Sequence, residues 1–368
     1  MKPHSRPGRH LVMGLSGMEL TAQERVFLKE QAPIGVIFFS RNIDDLNQLQ
    51  NLIREILATG PTPPTLWIDQ EGGRVQRLRE PFTPYPSPFR WAELAKIDFD
   101  KALRLSRSAG RLVGLELASL GIGVDCAPVL DIRQSDADPV IGERAFGSDP
   151  ETVIRLAGAW HEGLSGTGVM GMGKHFPGHG AATSDSHKKL PVVEKSKEAL
   201  AKWELQPFKA LLHRLPALMT AHLVATGLDA KVPATWSRTQ LVGLLRESWG
   251  YEGLIVTDAL EMGALTGTMA ERSYRSIVAG CDVVLCCTGR LADSEATLDG
   301  ITQAMGDPQS GWDRASPERV KRVLSPHRIA PGKPDRLLAD GEYLKARKEI
   351  EALGEDLSQV DPTEQLHV

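Results

Sequence analysis

The chain has 368 residues, 41% of them hydrophobic and 24% charged, the balance of a globular protein with a sizeable core. Its formal net charge of −4 argues against a general nucleic-acid or membrane-surface binder. No run approaches the roughly 18 apolar residues that a membrane span needs.

In chain order, the basic N-terminal segment MKPHSRPGRH precedes no continuous apolar stretch and reads as a poor signal peptide, so a cytoplasmic location is expected. Short apolar runs then recur at 10–13, 35–39, 65–68, 123–128, 169–173, 217–221, 254–257 and 283–286. Near-continuous hydrophobicity without alternation marks strands buried on both faces. Helical patterns lie between them. In 45–58 the apolar positions Leu46, Leu49, Ile53, Ile56 and Leu57 share one face, with Asp44 as the expected cap. Residues 98–120 and 268–279 read similarly, and Asp149-Pro150-Glu151 opens a helix with the stripe Val153, Ala157, Trp160 and Leu164. Residues 197–214 are helical except at Pro207, which is expected to break or kink them.

Eight strands alternating with helices predict a single-domain α/β fold, a (β/α)8 barrel over about residues 1–300. A doubly wound sheet is the alternative, but no G-x-G-x-x-G follows the first strand. Residues 301–368, rich in charge, proline and glycine, predict a short helical extension near 317–324 and 342–353 with a frayed end. Two connections are long: 71–96, with four prolines between 81 and 88, and the stretch after 173. Long loops of that kind are usually functional. The four cysteines, Cys126, Cys281, Cys286 and Cys287, form no C-x-x-C pair and read as reduced, buried thiols.

The stretch GKHFPGHGAATSDSH, residues 173–187, concentrates chemistry: one lysine, three histidines and Asp185, with Pro177, Gly178 and Gly180 interrupting regular structure. Other apolar strands also end in ionisable residues: Asp69, Asp131, Lys174 with His175, His222 and Asp258. In barrels the catalytic groups sit at those strand ends. Singly, each has a plainer explanation. Asp131 reads as a cap or turn former, His222 as a satisfied half-buried histidine, and Asp258 as another cap. Jointly they describe a site. Asp258 can be a nucleophile toward an electrophilic carbon, and His187, oriented by Asp185, a proton carrier. Lys174, Arg77 and Arg144 can donate hydrogen bonds to substrate oxygens, and Asp69 can accept from sugar hydroxyls.

KHFPGHG followed by DSH, then VTDALEM some seventy residues later, resembles glycoside hydrolase family 3, in its single-barrel bacterial β-N-acetylhexosaminidases of peptidoglycan recycling. IDQEGGRVQRL, APVLDI, IGERAFGSDP and MTAH extend the resemblance over about residues 10–290. It implies Asp258 as nucleophile, His187 as general acid/base in a dyad with Asp185, and Asp69, Arg77, Arg144, Lys174 and His175 on sugar-binding positions. The implied substrate is a small carbohydrate, a muropeptide carrying terminal GlcNAc. No metal, cofactor, nucleic-acid or membrane partner is implied. Lys188-Lys189 makes the loop more basic than the pattern, and His179 becomes a loop-shaping residue. Asp185 and His187, beyond the glycine breaks, are expected to ride on a flap. Rivals are a phosphorylase, a β-glucosidase, a zinc hydrolase using His175, His179, His187 and Asp258, a Schiff-base aldolase using Lys174, and a non-catalytic sugar-binding barrel.

Overall fold

The computed structural model describes residues 6–135 and 137–354, and the expected frayed end lies outside those residues. Eight strands, β1 (Leu11–Gly14), β2 (Gly35–Phe38), β3 (Thr65–Ile68), β4 (Val124–Asp125), β5 (Met170–Phe176), β6 (Ala217–Thr220), β7 (Leu254–Ala259) and β8 (Val283–Cys286), close into a barrel. Each pairs in parallel with the next, and β8 returns to β1 with Leu11 opposite Val284. All eight apolar runs of the sequence supply these strands.

Their unbroken hydrophobicity has a simple origin. Along β1 and β3, successive side chains alternate between two apolar environments. Val12 and Trp67 belong to an interior cluster with Val124, Met172, Val256 and Leu285. Leu11, Met13, Leu66 and Ile68 belong to the larger cluster shared with the surrounding helices. Both faces of the sheet are therefore apolar, as in any barrel wrapped by helices.

The wrapping helices are α1 (Ala22–Gln31), α2 (Leu46–Leu57), α3 (Phe99–Leu120), α4 (Pro150–Ser165), α5 (Gln206–Leu211), α6 (Thr239–Ser248, wound as a π-helix), α7 (Met269–Ala279) and α8 (Leu291–Gly306). Their starts are local. Thr21 and Thr268 each form a capping box with the glutamate three residues on, and Asp98 and Asp149 accept the N3 amide. One local expectation changes: the cap of α2 is Asp45, whose carboxylate accepts from the Gln48 N–H, and not Asp44. The break expected near Pro207 is present: Lys197–Lys202 and α5 are separate helices, and Pro207 sits in the first turn of α5, where a missing N–H costs nothing. The long connection after β3 is also less irregular than expected: it carries a small hairpin, Gln70–Gly72 against Val75–Gln76, and a short helix, Phe89–Ala95.

Beyond α8 come α9 (Ser316–Leu324), α10 (Pro334–Leu338) and α11 (Gly341–Glu351). Val320, Val323 and Leu324 of α9 enter the interior cluster, so this helix closes the end of the barrel opposite the strand termini. Asp282, just before β8, fastens it there by accepting from Ser316 and Arg319, both at 2.6 Å. α11 packs on α3. Its Tyr343 hydroxyl donates to the buried Glu116 carboxyl at 2.7 Å, and the Thr83 hydroxyl donates to the same oxygen at 2.6 Å. Burial outweighs these donors and pushes Glu116 up to about 7, so that the neutral acid is favoured in the fold. A raised carboxyl adds stability that is complete below its unfolded value near 4.5 and is lost as pH rises through about 7. Glu116→Gln, neutral throughout, is therefore expected to flatten the fall in urea midpoint between pH 5 and pH 8, and an unchanged slope would show that Glu116 is already ionised in the fold.

Candidate active site

The C-terminal ends of the strands open into a cleft. Ile37, Phe39, Met219, Leu285 and Cys287 from the top of the barrel interior make its apolar floor and walls, and Asp69, Arg144, Lys174, His175, His187 and Asp258 supply the polar lining. Six of the eight residues assigned to the site thus line one cleft. The other two stand behind it. Asp185 accepts from the Nδ1 of His187, and the fully buried Arg77 lies 3.5 Å from the Asp69 carboxylate, reaching the cleft through Asp69.

Lys174 and His175 do not follow β5 as the sequence suggested; they are its fifth and sixth residues. A lysine in a buried strand needs compensation, and it has two carboxylates. Its Nζ donates to Asp69 at 2.7 Å and lies 2.6 Å from Glu71. Glu71 in turn accepts a bidentate pair from Arg144, Nε and Nη2 each at 2.8 Å. Burial by itself would push Glu71 up and Lys174 down. The opposite charges reverse both, holding Glu71 well below the usual carboxylate range and Lys174 above the usual ammonium range. Lys174 is thus a fixed cation, poorly suited to the amine attack that a Schiff-base aldolase requires.

Glu71 escaped the sequence reading. The signal was available: an extended segment repeats every second residue, so Asp69 and Glu71 can point the same way toward one cation.

The second arrangement surrounds Asp131, which reads in sequence as a turn former. Its side chain is fully buried and caps no helix. It accepts from His175 Nδ1 at 2.6 Å and from the His179 backbone N–H at 2.6 Å. Accepting from Nδ1 leaves His175 Nε2 directed to the cleft, 4.0 Å from the Asp258 Oδ2. No local sequence signal announces this; the partners are 44 and 48 residues away.

Asp258 lies at the end of β7 and accepts from the Ala259 N–H at 2.8 Å. Burial favours its neutral form, but His175, His222 and His187 facing it outweigh that and hold it below the usual carboxylate range. It is an ionised carboxylate on an otherwise apolar floor. His222 is buried and satisfied on both ring nitrogens, by Thr235 at 2.7 Å and the Ala259 carbonyl at 3.0 Å.

The loop after β5 carries the remaining groups. Gly180 runs against the β4 connection so closely that a Cβ would sit 1.9 Å from the Ile132 carbonyl oxygen. His179 is buried, pushed down to about 4 chiefly by desolvation, and its Nε2 pairs with the Ser186 hydroxyl at 2.9 Å. Asp185 Oδ1 receives both the backbone N–H of His187 (2.9 Å) and its Nδ1 (2.7 Å). That favours the tautomer protonated at Nδ1. Burial would raise Asp185, but its bonds from His187 lower it overall. The loop lies on the segment after β7, with the Gly263 and Ala264 N–H groups each donating at 3.1 Å to the His187 and Ser186 carbonyls. Each loop histidine has its own partner, and among the described residues no three His, Cys, Asp or Glu side chains are grouped to hold a metal ion.

Carboxylate, ammonium, guanidinium and imidazole groups gathered at the C-terminal mouth of a (β/α)8 barrel stand where enzymes of this fold carry their active sites. The chain belongs to glycosyl hydrolase family 3, whose N-terminal domain matches residues 10–325. Its relatives include a β-hexosaminidase of Alkalilimnicola ehrlichii, 42% identical over 75% of this chain and 80% of its own length. Another, from Idiomarina loihiensis, is 37% identical over 85% of this chain and 92% of its own. Among solved structures, NagZ from Neisseria gonorrhoeae in complex with N-trifluoroacetyl-D-glucosamine superimposes with a TM-score of 0.83 at 32% identity, covering 94% of this chain and 98% of that one.

Removing the shared anion of the charge cluster is expected to be severe. Glu71→Gln leaves two buried cations short of a partner and should cost roughly 3 kcal/mol or more of unfolding free energy. Chemical denaturation checks it; a loss below 1 kcal/mol would mean that Lys174 and Arg144 are satisfied without Glu71.

Proposed function

We propose that this family 3 β-hexosaminidase is a retaining exo-β-N-acetylglucosaminidase that releases terminal GlcNAc from peptidoglycan-derived muropeptides, such as GlcNAc-1,6-anhydroMurNAc-peptides. The observation that carries the reading is Asp258, held ionised among histidines in the cleft at the strand ends. An ionised carboxylate there is suited to attack an anomeric carbon. The substrate class is supported by the β-hexosaminidase relatives and by the glucosamine derivative held by the neisserial structure. No helix among the described residues is long and apolar enough to cross a membrane.

In this mechanism Asp258 attacks C1 while His187, protonated at Nε2, gives its proton to the leaving oxygen. The neutral imidazole then takes a proton from water, which attacks C1 and frees Asp258 as the carboxylate. Asp185 keeps the ring oriented. Asp69 accepts from sugar hydroxyls, and Lys174 and Arg144 donate. Any outward movement of the loop must first give up its two bonds from Gly263 and Ala264.

A second assignment calls for a test because His175 also forms a histidine–aspartate pair and its Nε2 lies 4.0 Å from the Asp258 carboxylate. That nearness is also its weakness as an acid. A glycosidic oxygen has to fit between acid and nucleophile, which in retaining enzymes calls for a gap of about 5 Å or more. His175 is better placed to orient Asp258. Leaving-group dependence separates the roles. His187→Ala should lower kcat/KM roughly 10²–10⁴-fold on glycosides with poor leaving groups and much less on dinitrophenyl glycosides, which need no proton. His175→Ala should impair both equally. The reverse pattern would transfer the acid/base role to His175. Asp258→Ala should abolish turnover of either substrate, by about 10⁴-fold or more.

A further inference from the structure

The hairpin that carries Glu71 is too small to hold itself. Three residues, Gln70–Gly72, pair with two, Val75–Gln76, and an isolated two-stranded ribbon is marginal even at full length. Yet Asp69 at its root and Glu71 within it must stay within about 0.5 Å of place to keep Lys174 and Arg144 in register. Something outside the hairpin has to fix it.

The proline-rich segment does so directly. The Gln76 amide donates to the Thr83 carbonyl at 2.8 Å and accepts the Tyr85 N–H at 3.0 Å, and the Gly73 N–H donates to the Tyr85 carbonyl at 2.9 Å. Gly72, at φ +98°, passes so close that a Cβ would lie 2.6 Å from the Pro86 carbonyl oxygen. The proline-rich segment is held from its other side by α11. Tyr343 and Thr83 meet on Glu116, and the Thr83 N–H donates to the same carboxyl oxygen at 3.1 Å. One turn along α11, the Arg347 guanidinium donates to the Pro81 carbonyl at 2.7 Å and pairs with Glu80 at 3.2 Å.

The geometry points to α11 as a positioning element of the sugar site: Tyr343 and Arg347 set the proline-rich segment, which sets the hairpin, which sets the Asp69 and Glu71 carboxylates. Among the described residues, the hydrogen bonds and ion pairs of its side chains go to Thr83, Glu116, Pro81, Glu80 and Glu351, none of which lines the cleft. It acts through one loop and one hairpin: Tyr343 bonds the buried Glu116, and Arg347 bonds the exposed Pro81 and Glu80. The inference rests on the cleft being the GlcNAc site.

The test uses the full chain as Tyr343→Phe, Arg347→Ala and the double variant, with Arg347→Lys as the conservative control. The readouts are KM and kcat on a chromogenic β-GlcNAc glycoside, the Kd of GlcNAc by calorimetry, and unfolding curves at the assay temperature. The double variant is expected to stay folded, with KM and Kd raised roughly tenfold and kcat changed far less, and with Arg347→Lys recovering part of the loss. Reciprocally, GlcNAc should slow hydrogen exchange in α11 of the wild-type protein. If the double variant does not fold, Tyr343→Phe, which removes one hydroxyl, carries the comparison. Unchanged KM, Kd and exchange alongside a lowered unfolding midpoint would reduce α11 to a stabilising strut and overturn the inference. A wild-type protein that neither binds GlcNAc nor cleaves its glycosides would instead overturn the functional reading.

Discussion

Glu71 bridging Lys174 and Arg144 is the interaction on which the rest of the site depends. Burying two cations beneath a barrel mouth is costly unless each is paired in good geometry. Here the carboxylates of Asp69 and Glu71 serve both, and every contact lies between 2.6 and 2.8 Å. The cluster joins three separate parts of the chain: the connection after β3, the turn that carries Arg144, and β5. Because those parts cannot shift independently, the cleft has a rigid wall before any substrate arrives.

The opposite wall is built differently. His187 and Asp185 belong to a loop shaped by the close approach of Gly180 and attached to the segment after β7 through two backbone bonds. Asp258 stands between the walls. Burial favours its neutral form, and the facing histidines His175, His222 and His187 outweigh that and hold it below the usual carboxylate range. The two histidine–aspartate pairs have different settings: His175 sits in a strand with a fully buried partner, His187 in a loop with a partly exposed one.

The barrel was legible because strands buried on both faces leave an unbroken apolar signature, and all eight did so. Its limits appeared where a charged residue continues a strand. Lys174 and His175 read as loop because their partners, Asp69, Glu71 and Asp131, are distant in sequence. The lining of the cleft was legible as a set of ionisable strand ends, and the motif resemblance supplied the roles proposed for them. The groups acting from behind were not. Asp131 looked like a turn aspartate because nothing near it marks the three donors that converge on it, and Glu116 and Tyr343 are joined only by tertiary packing. Glu71 was the one omission that residue spacing alone could have repaired.

The central claim is that Asp258 is the atom-bearing nucleophile of a retaining reaction on β-GlcNAc. Incubation with a slow-turnover fluorinated GlcNAc-type glycoside, followed by proteolysis and mass spectrometry, tests it in one step. The account predicts a single glycosyl adduct on the peptide carrying Asp258, formed at a rate matching the loss of activity. An adduct on another carboxylate, or inactivation without any adduct, would contradict it.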